Sequence, residues 1–188
     1  MDKQVFPNNA KKVHNGIKFD IYHWEQELFD GTKAIFEKAT HIPSVQIIAI
    51  VGNKIAVLEE KQPYWGNFIS LIGGAVDKGE EPIAAAKREL LEETGMKCEK
   101  MEFLEEAGET GHIHWNSYYY IARNCKKIKE QNLDAGERIN IKLVDFDGFI
   151  KIVADTNFRN KGFALKILRM YYNNELDEFK DLLFTSKN

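Results

Sequence analysis

The chain has 188 residues, 44% hydrophobic and 12% aromatic, enough for one globular domain with a substantial core. Its formal charge of −3 argues against a polyanion-binding surface or a basic membrane patch, so neither nucleic acid nor a membrane is an expected partner. No stretch reaches the roughly 18 apolar residues of a membrane span. The N-terminal MDKQVFPNNAKK lacks the apolar run of a signal peptide, and Cys98 and Cys125 have neither metal-ligand spacing nor the density of a disulfide scaffold. These features set the expectation of a soluble cytoplasmic protein with reduced cysteines.

Residues 1–12 are polar and are expected to fray. Ile17, Phe19 and Ile21 then alternate with Lys18, Asp20 and Tyr22. After a turn near Asp30-Gly31, Thr32–Lys38 follows with Ala34 and Phe36 on one face. Two such strands make an antiparallel ribbon, which needs something to pack on. Pro43 marks a boundary, dividing an extension with its ribbon (1–42) from a body (43–188). In the body Val45–Val51 and Lys54–Leu58 are apolar runs around Gly52-Asn53, a hairpin whose strands are covered on both faces. Glu59–Asn67 reads as a loop and Phe68–Ile72 as a strand leading into Gly73-Gly74.

Further on, Met101–Glu105 and Trp115–Ala122 are expected strands, linked by 107–114. His112 and His114 lie in that link with no third metal ligand in view. Cys125–Arg138 reads as a long functional loop and Ile139–Val144 as a strand. Asp145–Asp155 and Lys161–Asn173 read as helices, the second burying Ala164, Leu165, Leu168 and Tyr171-Tyr172. A short amphipathic helix closes the chain. This order predicts an α/β (α+β) fold, an αβα sandwich around a mixed sheet with an N-terminal antiparallel ribbon.

The chemistry concentrates between Gly74 and Met96, GAVDKGEEPIAAAKRELLEETGM. Pro82 suits a first helical turn and Gly95 a left-handed helix end. Glu89, Glu92 and Glu93 fall at i, i+3 and i+4, on one face. Like charges at that spacing repel, and acids in a last turn oppose the helix dipole. A solvated helix face would carry such acids at a cost, whereas a hard divalent cation, Mg²⁺ or Mn²⁺, would hold them together. Arg88 can reach the carboxylates and orient them, and Glu80 can brace the loop before the helix.

Gly74, Glu80, Arg88-Glu89, Leu90, Glu92-Glu93, Gly95 and Met96 match G-x5-E-x7-R-E-U-x-E-E-x-G-U, with U apolar, at every fixed position. The chain thus resembles a Nudix hydrolase. The preceding Glu59-Glu60-Lys61-Gln62-Pro63 is similar to the ADP-ribose and ADP-sugar pyrophosphatase branch. It departs from that branch at Pro63-Tyr64, where an arginine is usual, and at Ile72, where a proline is usual. The resemblance implies hydrolysis of the pyrophosphate bond of ADP-ribose or a related nucleoside diphosphate sugar, with a small-molecule nucleotide as the partner. It implies Mg²⁺ on Glu89, Glu92, Glu93 and the Gly73 carbonyl, and a dimer exchanging the N-terminal ribbon.

By the same resemblance Glu137, in Gly136-Glu137-Arg138, is the candidate base, with Glu105, Glu106 and Glu109 as contenders. Gln62 and Trp65 are the candidate substrate-binding residues. Trp65 would stack on a base, a role also open to Tyr22 and Trp24. Two other functions stay open: hydrolysis of a nucleoside triphosphate or dinucleoside polyphosphate, and non-catalytic sensing of a nucleotide.

Overall fold

The computed structural model describes residues 5–185, excepting the side chains of residues 109 and 110. The centre of the molecule is a hairpin of β4 (Ser44–Val51) and β5 (Lys54–Gln62). Their residues alternate between two cores. Val45, Ile47, Ala49, Ala56 and Leu58 pack with Ala85, Ala86 and Leu90 of α1 (Pro82–Thr94). Ile48, Ile50, Ile55 and Val57 pack on the other side, with Phe149 of α2 (Phe146–Val153), Phe163 of α3 (Lys161–Tyr172) and Phe179 of α4 (Leu176–Phe184). The unbroken apolar runs Ile47–Val51 and Ile55–Leu58 therefore mean strands covered twice, as the αβα expectation requires. No helix of the described residues is long and apolar enough to cross a membrane.

The remaining strands are β1 (Lys11–Asn15), β2 (Phe19–Glu27), β3 (Lys33–His41), β6 (Gly66–Ser70), β7 (Met96–Lys97), β8 (Lys100–Thr110), β9 (Ile113–Arg123), β10 (Lys126–Lys127) and β11 (Arg138–Val144). Among the described residues, the main sheet runs β1-β2-β3-β9-β4-β5-β11, with β6 on β5 and β8 on β9. β4 and β9 are parallel, from Ser44↔Ser117 to Ala49↔Ala122, and β4–β5 is antiparallel, so the sheet is mixed. The ribbon joins the body through two residue pairs of β3 with β9, Ala39↔Ile113 and Thr40↔His114.

Several boundaries differ from the sequence expectation. Lys11 and Lys12 are strand, paired with His23 and Tyr22. Residues 59–62 are not loop: β5 continues to Gln62 because β6 and β11 flank it and take its backbone hydrogen bonds, whatever its side chains. The 107–114 link is mostly strand, with His112 in the tight turn and His114 inside β9. On α3 the buried residues are Phe163 and Ile167, while Leu165, Leu168, Tyr171 and Tyr172 are exposed. Phe163 sets that rotation, its ring centroid lying 5.6 Å from Tyr119, 6.1 Å from Phe149 and 6.4 Å from Phe179.

Arg123, buried at the end of β9, pins the last helix. Its guanidinium donates to the Leu183 carbonyl at 2.6 Å, the Leu182 carbonyl at 2.8 Å and Glu102 at 2.6 Å. Both cysteines are free, and burial pushes the Cys125 thiol up to about 12, as suits a core residue.

Candidate active site

β6 delivers the chain into a loop that lies along β4. Ile47 N–H donates to the Ile72 carbonyl at 2.8 Å and Val45 N–H to the Gly74 carbonyl at 2.9 Å. Gly73, at φ +152°, sits so close to β4 that a Cβ would fall 2.1 Å from the Val45 carbonyl oxygen. A Cβ on Gly74 would fall 2.4 Å from a Glu89 carboxylate oxygen. At Gly73 only glycine fits against the β4 backbone, and at Gly74 a side chain would displace the Glu89 carboxylate.

α1 starts on Pro82 and ends at Gly95, φ +70°, whose N–H donates to the Leu91 carbonyl at 3.0 Å. The last carbonyls of the helix are met by the 128–132 loop: Asn132 N–H donates to Glu92 O at 2.9 Å and Gln131 Nε2 to Glu93 O at 2.6 Å. The long Cys125–Arg138 segment thus caps α1 on its way to Glu137.

Arg88 is the hub of the helix. Its Nε and Nη2 donate to Glu80 at 3.1 and 2.9 Å, and Nη2 also to the Ala75 carbonyl at 2.9 Å. Nη1 donates to Glu89 at 2.7 Å and to Glu92 at 3.1 Å. Glu80 also accepts from the Asp77 N–H at 3.1 Å, so the loop is tied to the helix through one guanidinium. Those hydrogen bonds hold the Glu80 carboxyl below its ordinary range and raise the Arg88 pKa further.

Glu93 points elsewhere. Its carboxylate, buried, accepts from the Gly73 N–H at 2.8 Å. Burial pushes its pKa well up, with additional lift from the charges of Glu60, Glu89 and Glu137. Glu60, buried on β5, is likewise raised first by burial, and accepts from the Ser70 hydroxyl and from Gln62 Nε2, the latter at 3.3 Å. Burial also raises Glu89 and Glu137.

Glu60, Glu93 and Glu137 line one cavity of about 390 Å³ together with Gln62, Trp65 and Arg159. Gly73 and Gly74 form part of its wall, and Lys18 and His41 from the ribbon also line it. Glu89 stands behind Gly74 against Arg88, and the half-exposed Glu92 does not line the cavity. Among the contenders for the base, Glu105 is paired with Lys166 at 2.5 Å beside a neighbouring cavity. Glu106 is exposed on β8, and the side chain of Glu109 lies outside the described residues. Of the aromatic candidates, Trp24 packs on Phe36 within the ribbon and Tyr22 on Phe6 of the segment before it, leaving Trp65 at the cavity.

Sequence reasoning missed Glu60, Ser70 and Arg159. The signal for Glu60 was available. It has the same parity as Ala56 and Leu58, so extending the strand by two residues turns it to the α1 side.

A model of the NUDIX domain matches residues 40–164. The chain belongs to the Nudix family. It is 32% identical to a methanol dehydrogenase activator of Bacillus methanolicus, over 78% of this chain and 81% of that one. It is also 27% identical to an ADP-ribose pyrophosphatase of Bacillus subtilis (strain 168), over 76% and 80%. A crystal structure of an ADP compounds hydrolase shares the fold with a TM-score of 0.69 at 19% identity, covering 89% of this chain and 94% of that one. This is a Nudix hydrolase, similar to the ADP-ribose pyrophosphatase branch.

Nudix hydrolases act on small nucleotides and use divalent cations, and the donor set fits such an ion. Burial raises the pKa of Glu89 and Glu93 of α1, Glu60 of β5 and Glu137 before β11, and neighbouring carboxylates add to it; hard cations take oxygen ligands of that kind. Among the described residues no three acidic, histidine or cysteine side chains are already gathered as a cage. Arg88 draws Glu89 and Glu92 one way and the Gly73 amide draws Glu93 another.

Proposed function

We propose that this Nudix hydrolase cleaves the pyrophosphate bond of ADP-ribose or a related nucleoside diphosphate sugar, releasing AMP and a sugar phosphate. The observation that carries this is the joint cavity, in which Glu93 of the Nudix helix, Glu137 of the capping loop, and Gln62 and Trp65 of the β5–β6 hairpin meet. The 27% identity to an ADP-ribose pyrophosphatase supports the substrate class. Glu89, Glu92 and Glu93 with the Gly73 carbonyl would hold Mg²⁺, or Mn²⁺ in its place. The ion would neutralise the diphosphate and polarise the attacked phosphorus.

The chain's own residues supply the rest. Arg88 and Glu80 fix the loop and orient Glu89 and Glu92. Trp65 offers a stacking face and Gln62 a polar edge for the nucleotide. Glu137, raised by partial burial, takes the proton of the attacking water. Water oxygen bonds to phosphorus, the bridging P–O bond breaks, and the bridging oxygen leaves with the other phosphate. The test is incubation with ADP-ribose and Mg²⁺, following AMP. Intact ADP-ribose with tight binding would replace hydrolysis by sensing.

The relative named a methanol dehydrogenase activator favours a second reading, in which the chain acts in concert with a dehydrogenase. Nicotinamide dinucleotides contain the same anhydride, so NAD belongs in the substrate panel beside ATP and a dinucleoside polyphosphate. Faster cleavage of NAD than of ADP-ribose would favour that second reading.

We also infer a homodimer that exchanges the ribbon. Val13, Ile17, Phe29 and Ile35 are exposed on or beside it, and two residue pairs are a thin tether to the body. Sedimentation equilibrium is expected to give twice the 21.7 kDa of one chain. A single-chain mass at micromolar concentration would exclude exchange.

A further inference from the structure

We propose that Arg159 is a substrate-binding residue, its guanidinium pairing with the diphosphate from the cavity wall built by β6 and the α2–α3 linker. The inference rests on the diphosphate substrate proposed above and adds the residue that receives it.

The backbone at Arg159 is fixed. Ile69 N–H donates to the Asn157 carbonyl at 3.0 Å, and Arg159 N–H returns a bond to the Ile69 carbonyl at 2.7 Å. Next to it, Leu71 N–H donates to Asn160 Oδ1 at 2.9 Å, and Asn160 Nδ2 donates to Gln46 Oε1 at 2.6 Å. Phe158 is fully buried, so the segment is anchored like a short strand beside β6. From that base the guanidinium lies over two rings, its central carbon 4.8 Å from the Phe68 centroid and 5.4 Å from the Trp65 centroid.

Stacking engages the face of a guanidinium and leaves the N–H groups at its edge available. Among the described residues Arg159 donates no side-chain hydrogen bond and makes no ion pair. Yet it lines the cavity that holds Glu60, Glu93 and Glu137, and its charge acts on Glu60 and Glu137. An arginine serving only to neutralise those acids would be expected to pair with one of them directly. Aromatic support instead holds the fork open, which suits an arriving anion with two oxygens in one plane.

The need for such a group follows from the charges. A cavity with three carboxylates repels a diphosphate, and the permanent cations lining it are Lys18 and Arg159. Arg159 also borders a neighbouring cavity of about 610 Å³, sharing Gln46 and Asn160 with it. A diphosphate on this guanidinium would therefore stand between two spaces, as suits a group that joins two moieties.

The test is calorimetric binding of α,β-methylene-ADP, a non-hydrolysable diphosphate, with Mg²⁺ and with EDTA. Arg159→Gln is expected to raise Kd at least about tenfold in both conditions, the scale of losing charge-assisted hydrogen bonds. Arg159→Lys is expected to recover part of it, and adenosine, which has no phosphate, should bind Arg159→Gln as it binds the wild type. Arg169→Gln removes the same charge from the neighbouring cavity alone and is expected to stay within about twofold, as for a solvated charge. Equal affinity of Arg159→Gln and wild type overturns the inference, as does an equal loss in Arg169→Gln or a wild type that fails to bind. Hydrolysis of ADP-ribose with an unchanged KM in Arg159→Gln overturns this inference and leaves the activity standing. Arg159-dependent binding without hydrolysis does the reverse.

Discussion

Glu93→Gln is expected to lose at least about tenfold in turnover, since the variant lacks a charged ligand for the cation, while melting higher than wild type in EDTA. The two effects have one cause. Glu93 is buried, and the hydrogen bond its carboxylate accepts from Gly73 does not offset desolvation and the repulsion of Glu60, Glu89 and Glu137. Gln keeps the shape and still accepts from Gly73, but removes the charge. The wild type is then most penalised once pH has risen past the raised folded pKa of this carboxyl. A carboxyl whose folded pKa exceeds its unfolded value holds more protons folded than unfolded between the two, so stability falls as pH rises through that window.

The wild type should therefore lose melting temperature from about pH 5 upward, and the variant less. Added Mg²⁺ should restore the wild type and leave the variant nearly unmoved. A gain of roughly 2 °C or more at pH 8 corresponds to about half a kcal/mol or more in a chain of this size. Scanning fluorimetry across pH with EDTA or Mg²⁺, beside turnover of ADP-ribose, measures both effects. A variant that melts below wild type at pH 8 in EDTA would show that Glu93 is well accommodated without metal. Near-normal turnover would remove it from the site.

The Nudix helix was legible in the sequence because its constraints are local. Pro82 and Gly95 set its ends, and the i, i+3, i+4 acids with Arg88 follow from helical geometry alone. The two-sided apolar runs of β4 and β5 likewise announced a sheet covered on both faces. The cavity was less legible because sheet pairing assembles it. Glu60 and Gln62 sit in a polar tetrapeptide that reads as loop, and become strand only because β6 and β11 lie on either side. Arg159 lies in a linker without periodicity, more than sixty residues from α1, and its docking depends on backbone bonds to Ile69 that no local pattern encodes. The buried face of α3 differs from the expected one for a related reason. Leu165, Leu168 and Tyr172 form as good an apolar stripe as Phe163 and Ile167, and the choice between them is made by the aromatic cluster of Phe149 and Phe179.

Arg88→Lys is expected to be damaging although it conserves charge. The guanidinium makes five hydrogen bonds to four residues, with Glu80 on two nitrogens, the Ala75 carbonyl, Glu89 and Glu92. A lysine ammonium is a compact donor without the planar fork, and can satisfy one or two of those acceptors at a time. Glu89, whose side chain is only 13% exposed, would then face Gly74 with a weakened partner or none. Breaking a largely buried pair in this way costs about 2 kcal/mol or more, a fall of at least about 4 °C in melting temperature. Turnover should fall more than KM rises, because what is displaced is the placement of Glu89 and the glycine loop, for which small misplacements cost about a hundredfold. Glu80→Gln makes the comparison sharper: it keeps an acceptor for Arg88 and should lose stability with a smaller loss of turnover. If Arg88→Lys instead kept both melting temperature and kcat, charge alone would be organising the helix face, and the fork would have no part in holding it ready for a cation.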